Sequence, residues 1–331
     1  MSNTSKTTLD WSAYESPPIS PILYGCACVY LSIIGVIGIL INSFVIYAFS
    51  QIKRVRNPFN LLVLNLIVTE FLVSLFGIPI DFLSSFNRGW KFGRFFCQIV
   101  GFVLTYLGIC SVYTLTVLAF FRCCILFISN YSLSFKQAIQ SIVFIWVSTF
   151  LIAAPPLLGW GEYTPEKSGM SCAPNWETPT SLSYVIYLFV SGFFLPVIVI
   201  MYCNTKVVLF LRRNTESKAM NSTRGVAKRH ERNSTIILLS MTTAFFICWL
   251  PYTICSLYVV FGGSAPPWLS AIPLQFAKSS TCVSPIIYVF YNQEFRTNVI
   301  KYFQKNTFAV ERTSIGPSSE KLDTKILVTT C

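Results

Sequence analysis

Charged side chains are scarce in this sequence. Only 11% of its 331 residues are Asp, Glu, Lys or Arg, whereas 53% are hydrophobic and the mean hydropathy is +0.60. A soluble globular protein carries about 25% charged residues. The apolar residues fall in long runs, not in the short amphipathic patches of a water-soluble fold. The composition therefore argues against an ordinary soluble domain and indicates a membrane protein.

Patterns that would indicate a metal or nucleic-acid site are also missing. The chain has one histidine, His230, and its twelve cysteines show no paired metal-ligand spacing. Its net charge of +12 lies in loops between apolar runs, without a basic face interleaved with aromatic residues. We therefore expect neither metal nor nucleic acid as a partner. Cys97 and Cys172 fall in predicted loops or at a helix end, where an oxidising compartment allows them to pair.

Seven apolar runs are long enough to cross a bilayer, which needs about 20 residues. They predict an all-α, seven-transmembrane helix bundle within residues 22–291. The predicted spans are 22–49, 58–82, 94–127, 136–158, 182–211, 232–261 and 268–291. Residues 292–305 carry apolar side chains at helical spacing and predict an amphipathic helix on the bilayer surface. The polar segments 1–21 and 306–331 predict an N-terminal tail and a disordered C-terminal tail.

The distribution of Lys and Arg predicts the orientation of the bundle. One side, which includes the N-terminal tail, carries five of these residues, and the other carries nineteen. Because cationic residues stay on the cytoplasmic side, we expect the N-terminus outside a plasma or similar membrane. A glycosylation sequon at Asn3 agrees with that side. The five residues are Lys6, Arg88, Lys91, Arg94 and Lys167.

Ionisable residues inside a span are costly and are functional candidates for that reason. Lys278 lies about ten residues from either end of the seventh span, too deep to reach water. It must pair with a carboxylate, lose its proton or be chemically modified. A buried neutral amine attacks aldehydes and forms a Schiff base. A structural ion pair between helices is compatible with the same position.

Two carboxylates occupy the second span. Glu70 and Asp81 are eleven residues apart, which at about 100° per residue places them on the same helix face. Lipid would reject two carboxylates, so we expect this face to point into the bundle. Glu70 also fits an internal polar or sodium-binding network. The predicted loop before the fifth span adds three glutamates, among them Glu166.

Several short segments form a set that matches one family over about residues 22–305. They are Phe276–Ser280 with Ser284–Tyr288, Cys248–Tyr252, Asn42, Asn57–Pro58, Thr114–Ala119, and Gly159–Trp160 with Cys172. This set resembles the opsins, which are rhodopsin-like G-protein-coupled receptors. The resemblance is nearest to ciliary-type opsins of the encephalopsin and invertebrate ciliary group.

The resemblance implies retinal, as the 11-cis or all-trans isomer, bound through a Schiff base to Lys278. It implies a Cys97–Cys172 disulfide and a chromophore that packs on Trp249 and Tyr252. Val100 replaces the helix-three glutamate of vertebrate visual pigments, so the anion must come from elsewhere. We rank Glu166 first and Asp81 second. Further pocket candidates by position are Gly108, Ile109, Leu188, Gly192, Phe193, Phe245 and Leu274.

The resemblance also implies a receptor, not an enzyme, that couples light to a heterotrimeric G protein of the inhibitory class. Arrestin and a receptor kinase acting on the C-terminal tail are further expected partners. Arg122, Glu231 and Tyr288 match the cytoplasmic switch residues of the family. The sequence departs from the family at four points, which are Phe121 and Cys123 beside Arg122, Asn204, Ser284, and Glu70 in place of the usual aspartate.

Alternative functions remain open at this point. The unusual motif Phe121-Arg122-Cys123 slightly favours a retinal photoisomerase-type opsin, which would bind all-trans retinal in the dark and release the 11-cis isomer in light. A sensory receptor that works without retinal is a third reading, although Lys278 argues against it. A transporter is the least favoured, because the spans show no internal repeat.

Overall fold

A computed structural model describes residues 19–214 and 223–314, with the side chains at 214, 223–231, 306 and 308–314 outside that description. Nine helices follow one another in the described part of the chain, and a short hairpin separates the fourth from the fifth. They are α1 (Pro21–Gln51), α2 (Pro58–Leu72, π-helical turn Val73–Gly77, Ile78–Phe86), α3 (Gly93–Phe127), α4 (Phe135–Ala153), β1 (Tyr163–Pro165), β2 (Cys172–Pro174), α5 (Leu182–Phe189, π-helical turn Val190–Phe194, Leu195–Asn214), α6 (Thr223–Val260), α7 (Pro267–Ala277), α8 (Ser280–Tyr291) and α9 (Gln293–Ser314).

The helices form the predicted seven-span bundle. Among the described residues, α1 to α6 are each long and apolar enough to cross a membrane. The seventh span consists of α7 and α8, which are separated at Lys278 and Ser279, so that neither reaches spanning length alone. Large apolar side chains such as Ile22, Phe95 and Leu158 are exposed on the outer surface of the bundle, where lipid would cover them.

Local capping explains where several helices begin. Ser20 caps α1, and Asn57 caps α2 by accepting from the Asn60 amide at 2.7 Å, with a proline at the first helical position in both cases. Ser134 and Gln137 form a reciprocal capping box at the start of α4. These polar residues supply partners to amides that have none within their own helix.

Two predicted boundaries were wrong. The fourth span ends at Ala153, not at 158, because two prolines follow and the chain turns into the 3-10 segment Pro155–Leu158. The sixth span agrees with its prediction, since the membrane-spanning part of α6 among the described residues is Arg232–Val260, although the helix itself begins at Thr223. The amphipathic helix α9 continues to Ser314, into the segment predicted to be disordered, and residues 315–331 lie outside the described residues.

Two π-helical turns share one cause. In α2 the Ile78 amide donates to the Val73 carbonyl, and in α5 the Leu195 amide donates to the Val190 carbonyl. In each case the next residue is a proline, which lacks an N–H and whose ring crowds the preceding turn. A π turn adds about one residue to the turn and rotates the part of the helix that follows by about 100°.

Polar side chains connect the spans in the bundle interior. Asn42 of α1 donates to the Thr281 carbonyl of α8 at 2.9 Å. Asn65 of α2 donates to Thr114 of α3 at 2.9 Å and accepts from the indole N–H of Trp146 of α4 at 2.8 Å. One asparagine therefore joins three helices.

The hairpin lies against one end of the bundle. Strands β1 and β2 pair antiparallel, with Tyr163 opposite Pro174 and Pro165 opposite Cys172. A disulfide between Cys97 and Cys172 attaches β2 to the start of α3. This disulfide confirms the predicted pairing and holds the hairpin over the interior of the bundle.

We expect Asn65→Ala to destabilise the protein by about 1–2 kcal/mol, because it leaves the Trp146 indole N–H without its acceptor. Thermal unfolding of the purified protein in detergent would measure the loss. Ser148→Ala is the matched control, because the Ser148 hydroxyl bonds only to carbonyls of its own helix. An equal fall in both variants would contradict the role assigned to Asn65.

Candidate functional site

A cavity lies beneath the hairpin, between the spans. It contains about 1110 Å³ of atom-free space, open mouth included, and its walls are mainly apolar and aromatic. Concave pockets with mainly apolar walls and a few polar groups hold small molecules. The structure brings every predicted pocket residue to its wall. These are Gly108, Ile109, Leu188, Gly192, Phe193, Phe245, Trp249, Tyr252, Leu274 and Lys278.

The amine of Lys278 is buried at the wall of this cavity. Lys278 directly follows α7, at the break in the seventh span, and only 6% of the residue is exposed. Its Nζ forms an ion pair with the carboxylate of Asp81, which belongs to α2 and is 0% exposed. A buried charge needs such a partner, since an unpaired one would be very costly in this environment.

Glu166, ranked first as a partner for Lys278, contacts other groups. It follows β1, and its Oε1 accepts from the Tyr252 hydroxyl at 2.8 Å and from the Trp176 indole at 3.5 Å. Burial raises the pKa of this loop carboxyl to about 6, and the hydrogen bond from Tyr252 opposes that shift. The geometry therefore reverses the order of the two candidates, because the amine is paired with Asp81.

An aromatic stack forms the cavity wall on α6. Trp249 stacks on Phe245 with ring centroids 5.7 Å apart and makes an edge contact with Tyr252 at 6.3 Å. Its indole N–H donates to the Ser280 hydroxyl of α8 at 3.1 Å. A side chain at Gly108 would begin 3.2 Å from the Trp249 ring, so glycine leaves room for the indole there. Ser280, which our sequence analysis did not assign, fixes the orientation of Trp249.

Glu70 lines the same cavity, one helical segment away from Asp81. It is 2% exposed and lies against Ser111 of α3. Within the part of the chain that the structure describes, its Oε1 has no hydrogen-bond partner. Both α2 carboxylates therefore point into the bundle, as expected, but only Asp81 reaches Lys278.

At the other end of the bundle, Arg122 connects α3 to α6. Its Nε donates to the Thr235 hydroxyl at 2.6 Å, and its guanidinium lies 5.8 Å from the Phe59 ring centre. Thr235 was not predicted, although it lies one helical turn after Glu231 and hence on the same face of α6. Tyr288, the third residue that matched the cytoplasmic switch of the family, is buried, with 1% of its surface exposed.

Several predicted sites lie outside the described residues. They are the side chain of Glu231, the glycosylation sequon at Asn3, and the C-terminal serines and threonines after 314.

The family model of the 7 transmembrane receptor (rhodopsin family) matches residues 41–288. The chain therefore belongs to the rhodopsin family of seven-transmembrane receptors, which are receptors and not enzymes. This agrees with a bundle that surrounds an apolar cavity.

Known relatives of this chain are opsins. Pinopsin of Columba livia is 32% identical over 285 residues, which are 84% of this chain and 81% of that protein. "Rhodopsin, GQ-coupled" of Mizuhopecten yessoensis is 32% identical over 306 residues, but this chain spans 61% of that protein's length. The crystal structure of squid rhodopsin superimposes with a TM-score of 0.78 at 27% identity, covering 86% of this chain and 87% of that chain. Within the family, the chain is thus a photoreceptor opsin of the multi-pass membrane type; the comparisons do not single out the ciliary group.

Tyr252→Phe should raise the pKa of Glu166 above about 6, because the lost hydrogen bond stabilises the ionised carboxylate. Infrared titration of the protonated carboxyl band, identified by its absence in Glu166→Gln, would measure the shift. Tyr258→Phe is the matched control, since Tyr258 is 53% exposed on the same helix. An unchanged midpoint in Tyr252→Phe would contradict the assignment.

Proposed function

We propose that this opsin binds retinal covalently through Lys278 and uses Asp81 as the anion that compensates the positive charge of the linkage. The observation that carries the proposal is the buried Lys278–Asp81 ion pair at the wall of an apolar cavity. Retinal supplies an aldehyde that condenses with an amine, and a polyene that changes shape when it absorbs light.

The residues that line the cavity fit the chemistry of retinal. A polyene needs a long apolar chamber, and the walls between α3, α5 and α6 supply one. An aldehyde needs one accessible amine at the wall of that chamber, and Lys278 is the lysine that lines the cavity. Asp81 then serves as an internal base and anion beside the same nitrogen.

Glu166 has a different role in this proposal. Its carboxyl holds Tyr252 of α6 against the loop that carries β1, so it connects the hairpin to the aromatic wall of the cavity. A change in the shape of the ligand would press on Trp249 and Tyr252 and shift the equilibrium between arrangements of α6. Arg122, bonded to Thr235 of the same helix, would report that movement at the far end.

We propose further that the N-terminus lies outside a plasma or photoreceptive membrane and that the cation-rich end contacts a heterotrimeric G protein. The excess of Lys and Arg on that end supports the orientation. We favour the inhibitory class of G protein. The Mizuhopecten yessoensis relative is named as a Gq-coupled rhodopsin, and that name describes the relative. Arrestin and a receptor kinase are the further partners that we expect.

The linkage and its anion are tested by the absorbance spectrum after incubation with 11-cis or all-trans retinal. Lys278→Ala should form no pigment band. Asp81→Asn should move the band from the visible to the near-ultraviolet at neutral pH, because the linkage nitrogen loses its compensating charge and its proton. Glu166→Gln should keep a visible band. A visible band in Asp81→Asn together with its loss in Glu166→Gln would restore the order that the sequence suggested.

Thr235→Val should raise basal nucleotide exchange on the G protein by about tenfold or more, since a hydrogen bond from a charged group is worth roughly 1.5–3 kcal/mol. The rate of nucleotide exchange on G proteins of the inhibitory and Gq classes, in darkness and in light, would measure this increase. Thr242→Val is the control, because the Thr242 hydroxyl bonds within α6. No exchange on either class in light would refute coupling, and release of 11-cis retinal would then favour the photoisomerase alternative.

A further inference from the structure

A second groove lies at the cation-rich end of the bundle, and none of its lining residues lines the retinal cavity. It lies between the end of α1, the start of α2 and the start of α4, and contains about 690 Å³ of atom-free space, open mouth included. Ile46, Leu61, Leu64 and Phe135 form its apolar walls, and Arg56 and Asn57 lie where the chain turns from α1 into α2.

Arg56 is held in a fixed position at this groove. Its Nε donates to the Phe49 carbonyl at 2.7 Å, and its Nη2 donates to the Ser50 carbonyl, so both bonds are made to the last turn of α1. A guanidinium has five N–H donors in a planar fork. About three of them therefore remain for a ligand, and the side chain is already ordered. Such an arrangement suits the oxygens of a phosphate.

The charged side chains on the turn and on the segment beside the groove are all positive. Lys53, Arg54, Arg56 and Lys136 are all exposed, and no acidic side chain among the described residues pairs with them. The turn at 52–57 and the segment 128–144 contain neither Asp nor Glu. The turn and this segment therefore offer an anionic group several cations and no carboxylate, while Glu294 is an acidic residue on α9, the helix that packs against Lys53–Val55.

The apolar walls indicate what carries that anionic group. Leu61 and Leu64 lie about 6 and 10 Å further along α2 than Asn57, at 1.5 Å per residue. A soluble phosphate compound would leave these walls uncovered. A lipid would cover them with its acyl chain while its headgroup stays at the membrane surface.

We propose that this groove binds one anionic glycerophospholipid, with its phosphate on Arg56 and the free amide donors of Asn57 and one acyl chain along the walls of α1, α2 and α4. The Asn57 carbonyl oxygen caps α2, and no hydrogen bond from its Nδ2 occupies the amide within the described chain. The proposal does not depend on retinal binding.

Native mass spectrometry of the purified full-length protein, titrated with dioleoyl phosphatidylserine or dioleoyl phosphatidylcholine in detergent, tests it. We expect one saturable adduct with the serine lipid and at least about tenfold lower occupancy of that adduct in Arg56→Gln. Arg56→Lys keeps the charge but lacks the fork, and it should weaken the adduct several-fold. Arg212→Gln removes an equally exposed cation elsewhere on the same end and should leave the adduct unchanged.

Arg56 also caps the last turn of α1, so its replacement could reduce lipid binding by destabilising the protein. A second variant distinguishes this effect from loss of the binding site. Leu64→Phe fills the groove without changing any charge and should reduce the adduct while the thermal midpoint stays near that of the parent protein. Equal binding of the two lipids, or an equal loss in Arg212→Gln, would overturn the site. Displacement of the lipid by glycerophosphoserine at equal concentration would also overturn it, because the apolar walls would then contribute nothing.

Discussion

The ion pair between Lys278 and Asp81 constrains the structure more than any other contact. An amine and a carboxylate that are 6% and 0% exposed can persist inside a membrane only when each compensates the other. The pair therefore requires that the second half of α2 faces the seventh span at the depth of Lys278. It also fixes the chemistry of the cavity, since it places the one lysine of the cavity wall beside a carboxylate.

Irregular backbone makes that contact possible. The π turn at Val73–Gly77 lies between Glu70 and Asp81, so the two carboxylates do not keep the regular angular spacing of an α-helix. Both are buried, but they face different neighbours, Glu70 towards Ser111 and Asp81 towards Lys278. The interruption between α7 and α8 occurs at Lys278 itself. Pro79, which follows the first π turn, can be recognised in the sequence. The rotation of the helix at this turn cannot be predicted from the sequence.

The sequence was sufficient for features that depend on local pattern. The seven spans follow from the length of the apolar runs, and the pocket residues follow from their positions in segments that resemble opsins. Features that depend on contacts between segments distant in the sequence were harder to predict. The order of Glu166 and Asp81 depends on how the hairpin folds against α6, and the 2.6 Å contact of Arg122 with Thr235 joins residues 113 positions apart. The end of α4 was missed because apolar residues continue past Ala153, although Pro155 already ends the helix.

The two ends of the bundle compensate charge in different ways. In the interior, Lys278 has its partner within the chain, and Glu166 is satisfied by Tyr252 and Trp176. At the cation-rich end, Arg56 has no acidic partner among the described residues, and its two hydrogen bonds are made to carbonyl groups of α1. Charge that is not balanced within a protein attracts balancing charge from its surroundings. In the orientation that we propose, the surroundings of this end are the cytoplasmic lipid surface, so the charge imbalance on which that orientation is based also suits anionic partners.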